Sequence, residues 1–283
     1  MLLITGGDGF IGSHLIETLN SMGRTDIIVI EKNTDFVYLN KYQIYDVYNE
    51  SELHKISNDI EHVFHLGAIS STVETDEKLL EYYNYDYSIN IIQWCNKYNI
   101  PISYASSASV YGNMPVSKWM SRNRIFKPLN LYGKYKLKVD QYISNNIFRI
   151  PIKGYRFFNV YGKNEGHKNG QSSPFYRFKA ELNLTGKIRL FRDSKNYYRD
   201  FIPVNKVVNT LLQLYNNHKI NGIYDLGSGY PISFYDVAKI VSNNKDVDKI
   251  IDYIDMPENL KSHYQVFTCS NFELQNSIKS LDP

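Results

Sequence analysis

The chain has 283 residues, 43% of them hydrophobic and 22% charged, enough to bury a large core as one or two domains. A net charge of +3 at pH 7 without a basic cluster excludes a nucleic-acid-binding surface. No apolar run approaches the roughly 20 residues that a membrane helix requires.

The first residues, Met1 to Thr5, form a short apolar run that reads as a buried parallel strand and not as a signal peptide: no basic region precedes it and no cleavage site follows. Two cysteines, Cys95 and Cys269, lie far apart, the usage of a reduced, cytoplasmic protein. The 25 tyrosines and the excess of Asn, Lys and Ile reflect nucleotide bias and point to no function.

Gly6-Gly7-Asp8-Gly9-Phe10-Ile11-Gly12 follows the first strand at once, and Ser13 to Asn20 reads as a helix. Strand, glycines and helix in that order turn a glycine pattern into a dinucleotide cradle. The backbone at Gly6, Gly9, Phe10, Ile11 and Gly12 is placed to meet a pyrophosphate at the helix start. A second strand, Ile27 to Ile30, ends in Glu31, an acid placed to accept from the adenosine ribose hydroxyls. Glu31 argues for NAD, because a carboxylate repels a 2′-phosphate. Lys32 beside it supports either a pairing with that phosphate, and so NADP, or an ordinary solvated lysine.

The alternation continues. Glu61 to Leu66 reads as a strand ending in Gly67-Ala68, where Leu66, Gly67 and Ala68 line the cofactor. Asp76 to Tyr98 reads as one long helix, Ile102 to Ser107 as a strand, Pro128 to about Phe148 as a helix and Ile152 to Val160 as a strand. His62 and His65 fall on opposite faces of their strand, the spacing of sheet residues and not of metal ligands. The order implies an α/β fold, a Rossmann-type doubly wound parallel sheet with helices on both faces. After Tyr161 the pattern loosens into a polar, Gly-rich loop from Gly162 to Pro174, a length usually reserved for function. Helices near Val204 to Asn217 and Phe234 to Ser242 and a strand near Gly222 to Leu226 follow. The expected division is a dinucleotide-binding domain over 1–160 and 203–231, and a smaller discontinuous substrate lobe over 161–202 and 232–283.

Tyr132 and Lys136 stand four residues apart, which puts both on one helical face. A phenol loses its proton near pH 10. A fixed ammonium close by is expected to lower that value and make Tyr132 a usable acid or base. Ligands of doubly wound sheets bind beyond the carboxyl ends of the strands, where Ser107 also falls. Its hydroxyl would hold a substrate alcohol while the phenolate takes the proton and a hydride passes to nicotinamide.

The glycine-rich start, Ser107 and Tyr132-x-x-x-Lys136 together resemble the extended short-chain dehydrogenase/reductase family, over nearly the whole chain. Further strings are similar to its branch that inverts C6 of an ADP-linked heptose: Gly23-Arg24-Thr25-Asp26-Ile27, Ser70-Ser71-Thr72, Lys127-Pro128-Leu129-Asn130, Phe157-Phe158-Asn159-Val160-Tyr161-Gly162, Glu165-Gly166-His167-Lys168, Arg199-Asp200-Phe201 and Tyr264-Gln265-Val266-Phe267-Thr268.

The resemblance implies oxidation of C6 to a ketone by tightly held NADP and return of the hydride to the other face, in the synthesis of lipopolysaccharide-type heptose precursors. Tyr132 and Lys168 would share the acid/base work, with Lys136 tuning Tyr132. Asn84 and Val160 would join the cofactor site. Asn159, Arg177, Phe191, Ser194, Arg199 and Tyr264, with Ser107 and Lys168, would contact substrate. A homo-oligomer, a pentamer in that branch, is implied too.

The chain departs from the branch at Glu31-Lys32, where it has Asp-Asn, and at Tyr38, where it has a lysine near the 2′-phosphate. Leu66 replaces a glutamate, Gly170 and Arg177 replace substrate contacts, and the C-terminus looks short, without a final amphipathic helix. A 4-epimerase and a GDP-heptose epimerase stay open. A 4,6-dehydratase would need an Asp-Glu pair where Ala108 and Ser109 follow Ser107. A non-catalytic NAD(P)-sensing protein would lose the tyrosine or lysine that this chain keeps.

Overall fold

Leu2, Leu3, Ile4 and Thr5 are all wholly buried, as a strand covered on both faces must be. The computed structural model describes residues 1–57, 59–119, 121, 124–243, 246–261 and 264–279. In chain order the elements begin β1 (Leu2–Thr5), α1 (Phe10–Ser21), β2 (Ile27–Glu31), β3 (Asp46–Asn49), β4 (His62–His65), α2 (Glu77–Glu81) and α3 (Tyr87–Tyr98). Next come β5 (Ile102–Ser107), α4 (Leu131–Asn145), β6 (Ile152–Phe157), β7 (Asn159–Tyr161), α5 (Pro174–Thr185), β8 (Ile188–Phe191) and β9 (Tyr198–Pro203). After these come α6 (Val204–Leu214), β10 (Gly222–Leu226), β11 (Pro231–Ser233), α7 (Phe234–Val241) and β12 (Ile251–Ile254).

Seven strands form one sheet in the order β10-β6-β5-β4-β1-β2-β3. The pairs β1–β2, β1–β4, β2–β3 and β4–β5 are parallel. The chain runs outward from β1 to β3, then returns to β4 and runs the other way. The switch point therefore lies between β1 and β4, where a doubly wound sheet opens a crevice at its carboxyl edge. This is the Rossmann-type fold expected. No helix among the described residues is long and apolar enough to cross a membrane.

The chain divides into two compact units, each assembled from three segments: Met1–Ser107, Leu131–Arg156 and Val204–Tyr224 in the first, Ala108–Asn130, Phe157–Pro203 and Asp225–Pro283 in the second. In the first unit Leu3, Ile28, Val63, Ile91, Ile102 and Ile152 anchor the core. In the second, a three-stranded sheet, β11-β9-β7, and a pair, β12-β8, enclose a separate core around Phe178, Ile188, Phe201 and Val237. Residues 108–130 group with the second unit and not with the dinucleotide-binding domain expected over 1–160. Tyr111 Oη donates to Asp225 at 2.6 Å, Arg124 forms a buried ion pair with the same carboxylate, and Gln265 Nε2 donates to the Gly112 carbonyl at 2.6 Å.

Three elements differ from the periodicity. The run from Ile152 to Val160 is two strands: the Phe158 N–H turns to the Leu226 carbonyl, and β7 joins β9 in the second unit. The long helix over 76–98 is broken by a π-helical turn, Tyr82–Asp86, around buried Asn84. The polar loop over 162–174 holds a 3₁₀ turn, Gly166–Gln171. A short helix, Glu273–Lys279, is present where no terminal helix was expected, anchored by buried Leu274. His65 shares hydrogen bonds with Thr5 Oγ1 and Ser88 Oγ, and His62 with Ser103 Oγ, so both are held as buried sheet residues.

Candidate active site

The glycine turn is built so tightly that only glycine fits. Gly6 has φ +70°, and a Cβ there would sit 2.6 Å from the Gly67 Cα. A Cβ on Gly12 would meet the Gly6 carbonyl oxygen at 2.1 Å. Gly9 is the N-cap of α1, with no side-chain cap and no acid in the first turn. The first turn therefore offers uncapped N–H groups and the positive end of the helix dipole to an anion. Phe10 is buried and edges onto His14, so the turn is braced from below. These residues fit the pyrophosphate of a dinucleotide.

On the neighbouring strand the Leu66 N–H donates to the Thr5 carbonyl at 3.1 Å and the Gly67 N–H to Thr5 Oγ1 at 3.0 Å. This draws the Leu66-Gly67-Ala68 turn against the glycine turn. The Asn84 amide accepts from the Ile69 N–H at 2.8 Å and donates to its carbonyl at 2.9 Å. Its side chain thus holds the loop after β4. Lys32 Nζ lies 4.3 Å from the centre of the Tyr83 ring.

Ser107 closes β5, and Tyr132 opens α4 and hydrogen-bonds Ser107. Lys136, one turn on, is buried and donates to the Ala105 carbonyl at 2.8 Å, with Nζ 5.9 Å from the Tyr132 ring centre. The three expected residues are brought together. Desolvation raises the Tyr132 pKa above that of an ordinary phenol, and the Ser107 hydrogen bond only partly opposes it. Lys136 is itself pushed down to about 8 by burial, with Asp140 one turn further opposing the shift. Enclosure thus penalises the phenolate, while the Lys136 ammonium donates to the Ala105 carbonyl.

In the second unit Lys168 lies in the 3₁₀ turn with Nζ 3.6 Å from Glu165 Oε2. Burial lowers its pKa and Glu165 opposes the shift. Glu165 is wholly buried and accepts from the Gly162 N–H, the Ser173 N–H and Ser173 Oγ at 3.0, 2.6 and 2.7 Å. In the sequence Glu165 stands out only within the string Glu165-Gly166-His167-Lys168. Its burial, which makes it the anchor of this loop, cannot be read from a polar stretch.

A cavity of about 1100 Å³ lies within the second unit, and Arg177, Phe191, Ser194 and Tyr264 are among its walls. Four expected substrate residues are thereby gathered. Ser194 Oγ is buried without a partner, a polar atom that a ligand would satisfy. Arg199 stands behind two wall residues, its guanidinium 5.5 Å from the Phe234 ring centre and 5.2 Å from that of Tyr264. Burial lowers its pKa to about 10. Asn159 and Val160 lie on β7, in register with Phe201 and Ile202. Tyr197, with its ring 5.0 Å from that of Tyr264, and Arg189 also line the cavity, though the sequence marked neither. Only the fold places β8 beside α5 and so brings Arg189 to the wall.

The profile of the NAD dependent epimerase/dehydratase family matches residues 2–227. An ADP-L-glycero-D-manno-heptose-6-epimerase of Alkalilimnicola ehrlichii is 37% identical, over 95% of this chain and 88% of its own length. Among solved structures, Helicobacter pylori ADP-L-glycero-D-manno-heptose-6-epimerase superposes with a TM-score of 0.83 at 23% identity, covering 99% of this chain and 90% of the other. A UDP-N-acetylglucosamine 4-epimerase of Methanobrevibacter ruminantium, solved with UDP-N-acetylmuramic acid, reaches 0.84 at 20% identity, covering 98% and 91%. At those identities the two structures bear on the fold alone.

Proposed function

Since the chain belongs to the NAD dependent epimerase/dehydratase family, we propose that it inverts C6 of an ADP-linked heptose through a transient ketone, with NAD or NADP tightly held, one per chain. C6 is not acidified by a neighbouring carbonyl, so direct proton abstraction is unavailable and oxidation must come first. A dinucleotide held by the turn at Gly6, Gly9 and Gly12 would supply the hydride acceptor and donor. The remaining work falls to side chains.

Ser107 holds the C6 hydroxyl, and Tyr132, hydrogen-bonded to Ser107, takes its proton as the hydride leaves. Tyr132 acts as the base in its phenolate form, and the buried Lys136 ammonium is the cation that steadies that form. Returning hydride to the opposite face needs an acid on the other side of the ketone, and Lys168 is assigned that role. The observation that carries the reading is Lys168 itself: a loop lysine held at a buried carboxylate and desolvated, in a chain 37% identical to a heptose 6-epimerase over 95% of its length. Arg177, Ser194 and Tyr264 in the cavity walls suit a phosphate-bearing, ring-stacking ligand, and we assign the ADP moiety to them. The same reading includes a cytoplasmic homo-oligomer serving lipopolysaccharide-type heptose precursors.

The test is incubation of the purified protein with ADP-heptose and GDP-heptose epimers and resolution of the products. ADP-heptose is converted to a mixture of C6 epimers. Tyr132→Phe and Lys168→Met each slow conversion by about 100-fold or more, while both variants fold and keep the dinucleotide. Turnover of a hexose with none of any heptose defeats the assignment, and full activity in Lys168→Met defeats the two-base scheme.

A further inference from the structure

His65 is a buried titratable group with no part in the proton transfers. It ends β4, directly before the Leu66-Gly67-Ala68 turn. Its Nδ1 lies 2.7 Å from Thr5 Oγ1 and its Nε2 lies 2.9 Å from Ser88 Oγ. Both partners lead back to that turn. Thr5 Oγ1 accepts from the Gly67 N–H at 3.0 Å. Ser88 Oγ donates to the Asn84 carbonyl at 3.3 Å, and the Asn84 side chain binds both backbone groups of Ile69.

The donors and acceptors fit in one direction. Ser88 gives its proton to the Asn84 carbonyl, so its oxygen accepts from an Nε2–H. Thr5 Oγ1 already accepts from Gly67, so its own proton goes to Nδ1. The reverse tautomer points Nδ1–H and the Gly67 N–H at one oxygen and leaves the Thr5 proton no acceptor among the described residues. An imidazolium, a donor at both nitrogens, fails in the same way. Burial pushes the His65 pKa down to about 3, and the Lys136 ammonium adds to the fall, so the ring is neutral as the circuit requires.

We infer that His65 is a positioning residue for the dinucleotide. It ties β1, the π-helical turn and the turn after β4 into one hydrogen-bonded circuit, and so sets where Leu66, Gly67 and Ala68 stand against the glycine cradle. The fit there leaves no slack, since a Cβ on Gly6 would lie 2.6 Å from the Gly67 Cα. Ser88, on α3, acts on that turn only through His65 and Asn84. The inference rests on the reading that the glycine turn holds a nicotinamide dinucleotide.

The test measures dissociation constants of NAD and of NADP by equilibrium dialysis against the full chain, freed of nucleotide, beside thermal melts of each variant. His65→Leu weakens the tighter of the two by about tenfold or more. Ser88→Ala, one bond removed from the turn, weakens it by about fivefold, and adds less than about twofold once His65→Leu is present. Isotope-edited nitrogen NMR of histidine-labelled protein finds the His65 ring neutral and protonated on Nε2 at neutral pH. A Ser88→Ala protein that melts lower yet binds as the parent does makes His65 a structural residue and overturns the inference. So does full additivity of the two substitutions, or a His65 ring protonated on Nδ1; each leaves the dinucleotide reading standing. A parent that binds neither nucleotide overturns both. If His65→Leu fails to fold, Ser88→Ala and the ring tautomer decide the matter.

Discussion

Lys136 is a cation in a place that favours an amine. Burial brings its pKa to about 8, whereas an unfolded lysine holds its proton to about 10.4. The sign follows from proton counting: between those values the unfolded chain binds more protons than the folded one, so this residue's contribution to stability rises with pH across that window. Buried Lys153, also lowered to about 8 by desolvation, adds in the same direction. Activity moves the opposite way, because the steadying ammonium is lost. The expected kcat/KM profile therefore falls on its alkaline side with an apparent pKa of about 8, while thermal melts do not fall over the same range. Lys136→Met should lose activity by roughly 100-fold yet melt at pH 7 no lower than the parent, since a desolvated charge is gone. A variant that loses activity and stability together would make Lys136 a structural residue. Tyr132, Lys136 and Ser107 were legible from spacing, because four residues is one helical turn and strand ends face the crevice. The direction of the Tyr132 shift was not, since desolvation depends on tertiary enclosure and sequence spacing carries only the charge.

At the scale of elements, the junction between β1 and α1 is the best-specified piece of the chain. It was readable because its constraint is local: a Cβ on Gly12 would lie 2.1 Å from the backbone oxygen of Gly6, and backbone cannot rotate away as a side chain can. Gly12→Ala is expected to displace the start of α1, lower stability by about 2 kcal/mol or more and strip the dinucleotide, read from thermal melts and from the absorbance of the purified protein. Gly23→Ala is the control. Gly23 has φ +79° with no atom within 4 Å of a Cβ, so only the backbone penalty of about 1 kcal/mol applies and the dinucleotide stays. Equal losses in both variants would remove the cradle argument. The division between β6 and β7 was not readable, because Ile152 to Val160 is evenly apolar and the turn of Phe158 toward Leu226 is a long-range hydrogen bond. The π-helical turn at 82–86 escaped for a related reason: Asn84 is bonded to Ile69, fifteen residues earlier, which helical periodicity does not register.

At the scale of the molecule, the chain crosses between the two units five times, so neither unit is a contiguous stretch. β6 and β10 even begin in one unit and end in the other. Such threading predicts one cooperative unfolding transition in place of two. Asp200 offers the means of testing it. Its buried carboxylate accepts from the N–H and Oγ of Ser228 at 2.7 and 2.6 Å, the Gly229 N–H at 3.0 Å, and the N–H and Oγ of Ser270 at 2.8 and 2.6 Å. Every one of these partners lies in the second unit. Asp200→Ala leaves several buried donors without an acceptor and should cost about 3 kcal/mol or more. The two tryptophans report the units separately, Trp94 on α3 in the first and Trp119, wholly buried with its indole N–H on the Met114 carbonyl, in the second. In the Asp200→Ala background, Trp94→Phe leaves a reporter of the second unit and Trp119→Phe a reporter of the first. Because the chain is threaded, damage confined to the second unit should lower the midpoint seen by both reporters equally. A Trp119 signal lost several degrees below that of Trp94 would instead show that the second unit melts alone, and that five chain crossings do not couple the two folds.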